Sequence, residues 1–239
     1  GTLGLETVRK DQESRGTTQL APGGDVTKAG LFAYEERGFG PWLFQGGLRY
    51  DYHRVVADED ATASVASPAL QGAGRTGETY NVVTGSLGGS YSFSRHLTLA
   101  ANIGRGFRAP TLFELYAHGV HAGVAAEQRG NPDLDPEKSI DSDLSLRWRS
   151  PRLEASATVY RNRINDYIFL RDTGGQTGGG TPIFRYDQAD AVLTGLDLAA
   201  EGEPVPWLAL AASASIVEGE NTDTDRNLPL LPANKVRGS

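Results

Sequence analysis

The segment with the clearest capacity for chemistry is His118-Gly-Val-His121, in which a flexible glycine follows the first of two imidazoles that lie three residues apart. Three carboxylates are near in sequence, at Glu114, Glu127 and Asp133. Zinc accepts nitrogen and oxygen donors in a tetrahedral shell, so the two histidines and one carboxylate could hold a single Zn²⁺. The chain has no cysteine, which removes thiolate ligands. The alternative is a solvated loop whose histidines bind water or line a pocket for a metal chelate.

Two arginines come just before this loop, in the segment GRGFRAPTLFELY at residues 104–116. Arg105 and Arg108 follow an alternating strand, and Pro110 then ends the ladder because it has no N–H to donate. The same letters can be placed on a dinucleotide-binding G-x-G-x-x-A motif, which requires a buried parallel strand and a helix that opens on the glycines. The half-polar strand at 96–104 and Pro110 supply neither, so the segment is interpreted as the end of a strand where charge is tolerated.

The elements that position these residues are β-strands with period-two alternation. In one of them Trp42, Phe44 and Leu48 lie on one face, while Arg49 and Asp51 lie on the other. This pattern predicts an all-β, antiparallel fold of about nine to ten strands. The expected strands lie near 1–9, 28–37, 41–56, 79–94, 96–108, 138–149, 152–169, 183–202, 206–219 and from 234 onward.

The connections between strands alternate between tight turns and long polar loops. Long loops are expected near 10–27, 57–78, 108–137, 170–182 and 220–233. Aromatic residues gather at the tight-turn end, at Trp42, Phe93, Trp148 and Trp207. Long strands, loops of unequal length at the two ends and an aromatic girdle indicate an up-and-down transmembrane β-barrel, in which every backbone polar group is paired. The alternatives are a soluble β-sandwich binding module and a passive, porin-like outer-membrane barrel.

Composition excludes several classes of protein. No apolar run approaches the roughly 18 residues of a membrane-spanning helix. A net charge of −7 and scattered basic residues argue against nucleic acid as a partner. No constellation of Ser, His and acid, or of paired carboxylates, has a spacing that supports catalysis, so we expect no enzymatic activity and no required cofactor.

Several motifs together resemble the TonB-dependent outer-membrane receptors, a family of siderophore and metal uptake proteins. The pair formed by residues 104–116 and by GNPDLDPEKS at 130–139 is the most specific, since both lie on one predicted loop. Three weaker motifs follow in the family's order: NRINDYIFL at 162–170, YDQADAVLTGLDL at 186–198 and LPLLP at 228–232. The His-Gly-x-His loop is also similar to that of the zinc-uptake branch of the family.

The resemblance implies a particular architecture and activity. Such barrels have about 22 strands around a plug domain, so residues 1–239 are expected to form part of a barrel without the plug or the C-terminal strands. The parent protein would bind a ferric siderophore or zinc and import it through the TonB complex, within a bilayer that contains lipopolysaccharide. The possible ligand contacts are His118, His121, Glu114, Glu127 and Asp133. The family also implies that Arg105 and Arg108 contact the chelate or pair with plug carboxylates.

Overall fold

The computed structural model of this chain describes residues 1–15, 19–58, 76–121, 123–229 and 231–239. These residues form one sheet of thirteen strands and one short helix. The long strands pair antiparallel, each with the next long strand along the chain. Among the described residues the first strand does not pair with the last ones, so the sheet is an unclosed segment of a barrel wall.

The elements have the following bounds. The long strands are β1 Thr2–Gln12, β2 Gly24–Phe39, β3 Trp42–Ala57, β4 Thr76–Ser92, β5 Leu97–Arg108, β8 Glu137–Arg149, β9 Leu153–Gln176, β10 Pro182–Val205 and β11 Leu208–Asn221. The short elements are α1 Leu112–Tyr116, β6 His118–His121, β7 Ala126–Arg129, β12 Arg226–Asn227 and β13 Lys235–Gly238.

All ten strands expected from the alternation are present, with ends that differ by a few residues. The expected long loop at 170–182 is wrong, because β9 and β10 continue to a connection of only 177–181. Gln176 pairs with Pro182 and Asp172 with Phe184, so cross-strand pairing overrides the low strand propensity of the glycines. Most of the expected loop at 57–78, and Leu230 of the LPLLP motif, lie outside the described residues.

One face of the sheet is apolar and exposed along its whole width. Leu48 is 62% exposed, Leu87 69% and Leu144 45%, and no second layer of the described chain covers them. Aromatic rings line the tight-turn end of this face, where Trp42 stacks on Phe44 at a centroid distance of 5.7 Å. This is the arrangement expected for a wall that faces hydrocarbon and ends in an aromatic belt.

The opposite face carries polar side chains that bond to one another across strands. Arg49 forms an ion pair with Asp51 at 2.7 Å and with Glu6 at 2.9 Å. Further along, Gln45 donates to Asn102, which donates to Asp143 at 3.0 Å. We name this the inner face, since a barrel of this class has a polar interior.

Among the described residues no helix has the length and apolar character needed to cross a bilayer.

The exposed apolar face gives a direct test of contact with hydrocarbon. Replacing Leu144 with Arg in the full-length receptor that carries this chain should destabilise it by about 2–4 kcal/mol in lipid vesicles. The measurement is the free energy of unfolding in denaturant. Gln45→Arg on the polar inner face is the matched control and should cost much less. Equal costs at the two positions would contradict the assignment of the faces.

Candidate functional site

The loop that carries the candidate residues is folded against the ends of the strands opposite the tight turns. We call residues 109–136, apart from 122, the rim segment. Leu112, Leu115 and Tyr116 of α1 are almost fully buried and pack against Val55 and Ile168 of the sheet. The chief apolar core of the described residues is therefore at this end of the sheet, where it fixes the position of the rim segment.

Helix α1 begins directly after Thr111, which forms a capping box with Glu114. The Thr111 hydroxyl accepts a hydrogen bond from the Glu114 backbone N–H, and the Glu114 carboxylate accepts one from the Thr111 backbone N–H, which completes a capping box. Pro110 lies just before the cap, where its missing N–H removes no helical bond. The helix has a single turn, so its buried apolar face supplies its stability.

Arg108 joins the end of β5, the helix and the start of β8. Its Nη1 donates to both carboxylate oxygens of Glu114 at 2.9 Å. Its Nε and Nη2 donate to Glu137 at 2.7 and 2.6 Å. The hydrogen bonds to Glu137 and the charges of both carboxylates raise the pKa of the Arg108 guanidinium, so it remains protonated. Glu137 also accepts from the backbone N–H of Ile168 at 2.9 Å, which ties β9 to the same cluster.

The second motif, residues 130–139, closes the rim segment on the helix. Gly130 donates its N–H to the carbonyl of Ala117, and Asn131 donates its N–H to the carbonyl of Glu114. A Cβ at position 130 would lie 2.5 Å from the backbone nitrogen of Tyr116, so only glycine allows this close approach. The Asn131 side-chain oxygen accepts from Arg185 of β10 at 3.0 Å. The two motifs thus form one folded unit.

The histidines lie at the two ends of β6, which pairs with β7 as a small hairpin. His118 donates its backbone N–H to the carbonyl of Leu20 at 2.8 Å, which attaches the hairpin to the segment before β2. The Nδ1 atom of His121 is buried and has no hydrogen-bond partner among the described residues. Strand β7 pairs in parallel with β10, through Glu127 and Ile183. The β6–β7 part of the rim segment therefore lies along the hairpin formed by β9 and β10.

The structure does not gather the predicted ligands into one group. The Glu114 carboxylate is held by Arg108 and Thr111. The Glu127 carboxylate accepts from Arg129 at 2.7 Å. Within the described ranges no group of three or more His, Asp or Glu side chains is placed to hold a metal ion. The zinc hypothesis therefore rests on the two histidines and not on a preassembled set of ligands.

The expectation for Arg105 requires correction. Arg105 pairs with Ile140 and follows Ile103 by two residues, which places it on the exposed apolar face. A side chain on this face cannot contact a plug or a chelate in the interior. Arg108 lies on the inner face and is held by two carboxylates of this same chain.

Sequence reasoning missed the partners that organise the rim segment. Glu137 lies in the 130–139 motif as the first residue of β8, and a carboxylate at the start of a strand next to Arg108 is a usable signal. Gln188 was also missed, and its side chain bonds to the N–H and the carbonyl of Asp135. These residues are 53 positions apart, and no local pattern in the sequence connects them.

Comparison with known proteins agrees with this architecture. A family model described as "TonB dependent receptor-like, beta-barrel" matches residues 6–238. The chain therefore belongs to the TonB-dependent receptor family and is part of an outer-membrane β-barrel.

Two proteins with assigned functions are similar to this chain in sequence. The chain is 28% identical over 163 residues to the ferric enterobactin receptor PirA of Pseudomonas aeruginosa, covering 62% of this chain and 22% of that protein. It is 27% identical over 199 residues to the vitamin B12 transporter BtuB of Photobacterium profundum, covering 82% of this chain and 27% of that protein. The chain thus spans only about a quarter of the length of these relatives.

A solved structure supports the fold. The copper transporter OprC superposes with a TM-score of 0.74 at 22% identity, over 90% of this chain and 32% of that chain. The proteins compared here are named as receptors and transporters and not as enzymes, in agreement with the expectation of no catalysis.

The charge cluster at Arg108 gives a test of what holds the rim segment. Arg108→Ala removes four hydrogen bonds and leaves Glu114 and Glu137, whose side chains are 14% and 11% exposed, without their cation. Breaking a buried pair costs about 3–5 kcal/mol. Because the Arg108 side chain is 42% exposed, we expect about 2 kcal/mol here.

The measurement is amide hydrogen exchange across 109–136 in the full-length receptor, which should become faster in the Arg108→Ala variant. Arg105→Ala, at an exposed position on the other face, is the control and should leave the exchange of this segment unchanged. Unaltered protection in Arg108→Ala would show that apolar packing alone holds the segment.

Proposed function

We propose that this chain forms part of the barrel wall and outer rim of a receptor that imports a metal chelate across the outer membrane. The observation that carries the proposal is the family match across residues 6–238. Relatives named for ferric enterobactin and for vitamin B12 both take up a chelated metal ion, which favours the same class of cargo. In this proposal import depends on the TonB complex, which would act through a plug domain.

The folded state of the rim segment supports the proposal that this segment contacts the cargo. Long loops of outer-membrane barrels lie on the extracellular side. Here one such loop is folded, packed and fixed by Arg108, so it presents a defined surface to a ligand from the outside. A preorganised surface lowers the entropy lost on binding. A ferric siderophore is the favoured cargo, and the residues that would contact it are those of the rim segment and of the β6–β7 hairpin.

Uptake by intact cells tests this function. Cells that lack their own receptors and carry the full-length protein should accumulate one member of a panel of labelled ferric siderophores, cobalamin, copper and zinc. Accumulation should stop when an uncoupler dissipates the proton gradient or when TonB is deleted, because import against a gradient needs that energy. Uptake that continues under both conditions would indicate a passive pore and contradict the proposal.

Zinc is a second candidate cargo, favoured by one observation on the β6–β7 hairpin. The buried Nδ1 atom of His121 has no hydrogen-bond partner in the described part of the chain, and a buried polar atom without a partner is costly unless it binds a ligand. His118 is three residues away at the other end of β6, and this spacing places the two imidazoles on opposite faces of a regular strand, so binding one ion through both requires β6 to rearrange. In this hypothesis the two imidazoles supply nitrogen ligands and a water or a cargo oxygen completes the shell.

Calorimetry with ZnCl₂ on the full-length receptor tests the zinc hypothesis. The double variant His118→Ala, His121→Ala should lose affinity by about tenfold or more, since both nitrogen donors are removed. His96→Ala, in a tight turn at the other end of the sheet, is the control and should bind zinc as the unmodified protein does. Equal affinity in the double variant would remove zinc as a ligand of this loop.

A further inference from the structure

Four basic side chains that the proposed function does not use stand together on the exposed apolar face, at its border toward the long loops. We call them the basic cluster, and they are Arg105, Lys138, Arg161 and Arg163. Arg105 and Arg163 both pair with Ile140, from opposite sides. With neighbouring strands about 4.8 Å apart, their Cα atoms are about 10 Å apart. Side chains of this length can converge on one anion above Ile140.

The basic cluster has more positive charge than its own chain neutralises. Arg105 and Arg161 are exposed, and no carboxylate of the described residues lies within ion-pair distance of either. Lys138 and Arg163 have only long contacts, at 3.6 Å to Asp166 and 4.0 Å to Asp190. These four cations therefore remain available to an external anion.

The cluster has a defined lateral limit. On the same face β11 carries Glu220, which pairs with Val192 of β10, and Glu218, which pairs with Thr194. Both carboxylates are exposed. On this side the positive surface thus ends before β11.

The height of the cluster matches the edge of a bilayer. Trp148 marks the tight-turn border of the apolar face, and Ile140 is eight residues away along β8. At about 3.3 Å per residue this is about 26 Å along a strand. A strand tilt of roughly 40° reduces the height to about 20 Å, close to the apolar band of about 25 Å in such barrels. Arg105 and Arg163 therefore lie where outer-leaflet headgroups begin.

An apolar groove leads along the same face to Arg105. It has a volume of about 960 Å³, and its lining includes Leu87, Ile103 and the small residues Ala33 and Gly85. Because these small residues have a methyl group or no side chain, a shallow channel remains between the larger side chains. A lipid offers both parts that this surface requires, an acyl chain for the groove and an anionic group for the arginines.

From the excess of positive charge in the cluster, its height and the groove, we propose that this face is a binding site for a phosphorylated lipid of the outer leaflet. The phosphate lies between Arg105 and Arg163, with Arg161 and Lys138 adding charge, and one acyl chain lies in the groove. Arginine suits phosphate because its planar fork donates two parallel hydrogen bonds. This site depends on the barrel and not on which cargo is imported.

The test uses purified full-length receptor and bisphosphorylated lipid A in detergent, with binding measured by native mass spectrometry. A triple variant, Arg105→Gln, Arg161→Gln and Arg163→Gln, should lose at least about tenfold in affinity, since each basic residue near an anionic lipid surface contributes about fivefold. Lipid A without phosphates should bind the unmodified receptor as weakly as lipid A binds the variant.

A charge-matched control separates a specific site from general attraction. Arg95→Gln, Arg147→Gln and Arg152→Gln remove the same charge at the tight-turn end and should leave lipid A affinity unchanged. An equal loss in both triple variants would overturn the proposal.

Inorganic phosphate and the deacylated headgroup are the remaining arms of the experiment. Neither should displace lipid A at equal concentration, because neither fills the groove. Displacement by either would show a site for a soluble anion only and would also overturn the proposal. Circular dichroism of each variant confirms that the barrel has folded, and uptake of cargo remains an independent measurement.

Discussion

The structure depends on the requirement that backbone polar groups within hydrocarbon find partners inside the protein. In the long strands β2 to β10 this requirement is met by antiparallel neighbours on both sides along much of each strand. Side chains then alternate between lipid and interior, so apolar residues such as Leu87 face out and Arg49 faces in. The same rule explains why the strands are longer than those usual in soluble sheets, since each must cross the bilayer and continue beyond it.

Beyond the bilayer, side-chain packing and local ion pairs stabilise the chain. The rim segment packs against the ends of the strands and forms a small apolar core with them, with buried Leu115 and Val55 at its centre. Its charge is balanced locally, because Arg108 satisfies two carboxylates that would be costly to bury alone. The rim segment is therefore held by side-chain packing and ion pairs, whereas the wall below it is held by backbone pairing between strands.

The two arginines of the 104–116 motif show how the period-two alternation of a strand places neighbouring residues in different environments. They are three residues apart, so they occupy opposite faces of β5. Arg108 lies inside and organises the rim segment, whereas Arg105 lies outside at the level of the lipid headgroups. One short motif thus serves both the interior of the barrel and its contact with the membrane.

Local patterns in the sequence predict the fold class, the positions of the long strands and the polarity of their faces, because alternation is a local property of a strand in a two-sided environment. The sequence also locates the two rim motifs, although the helix at Leu112–Tyr116 lies where a long loop is expected. Only the folded structure shows that Arg108 bonds to Glu137 and that Gln188 holds Asp135. These outcomes depend on the register between strands, and register is set by pairing between residues far apart in the chain.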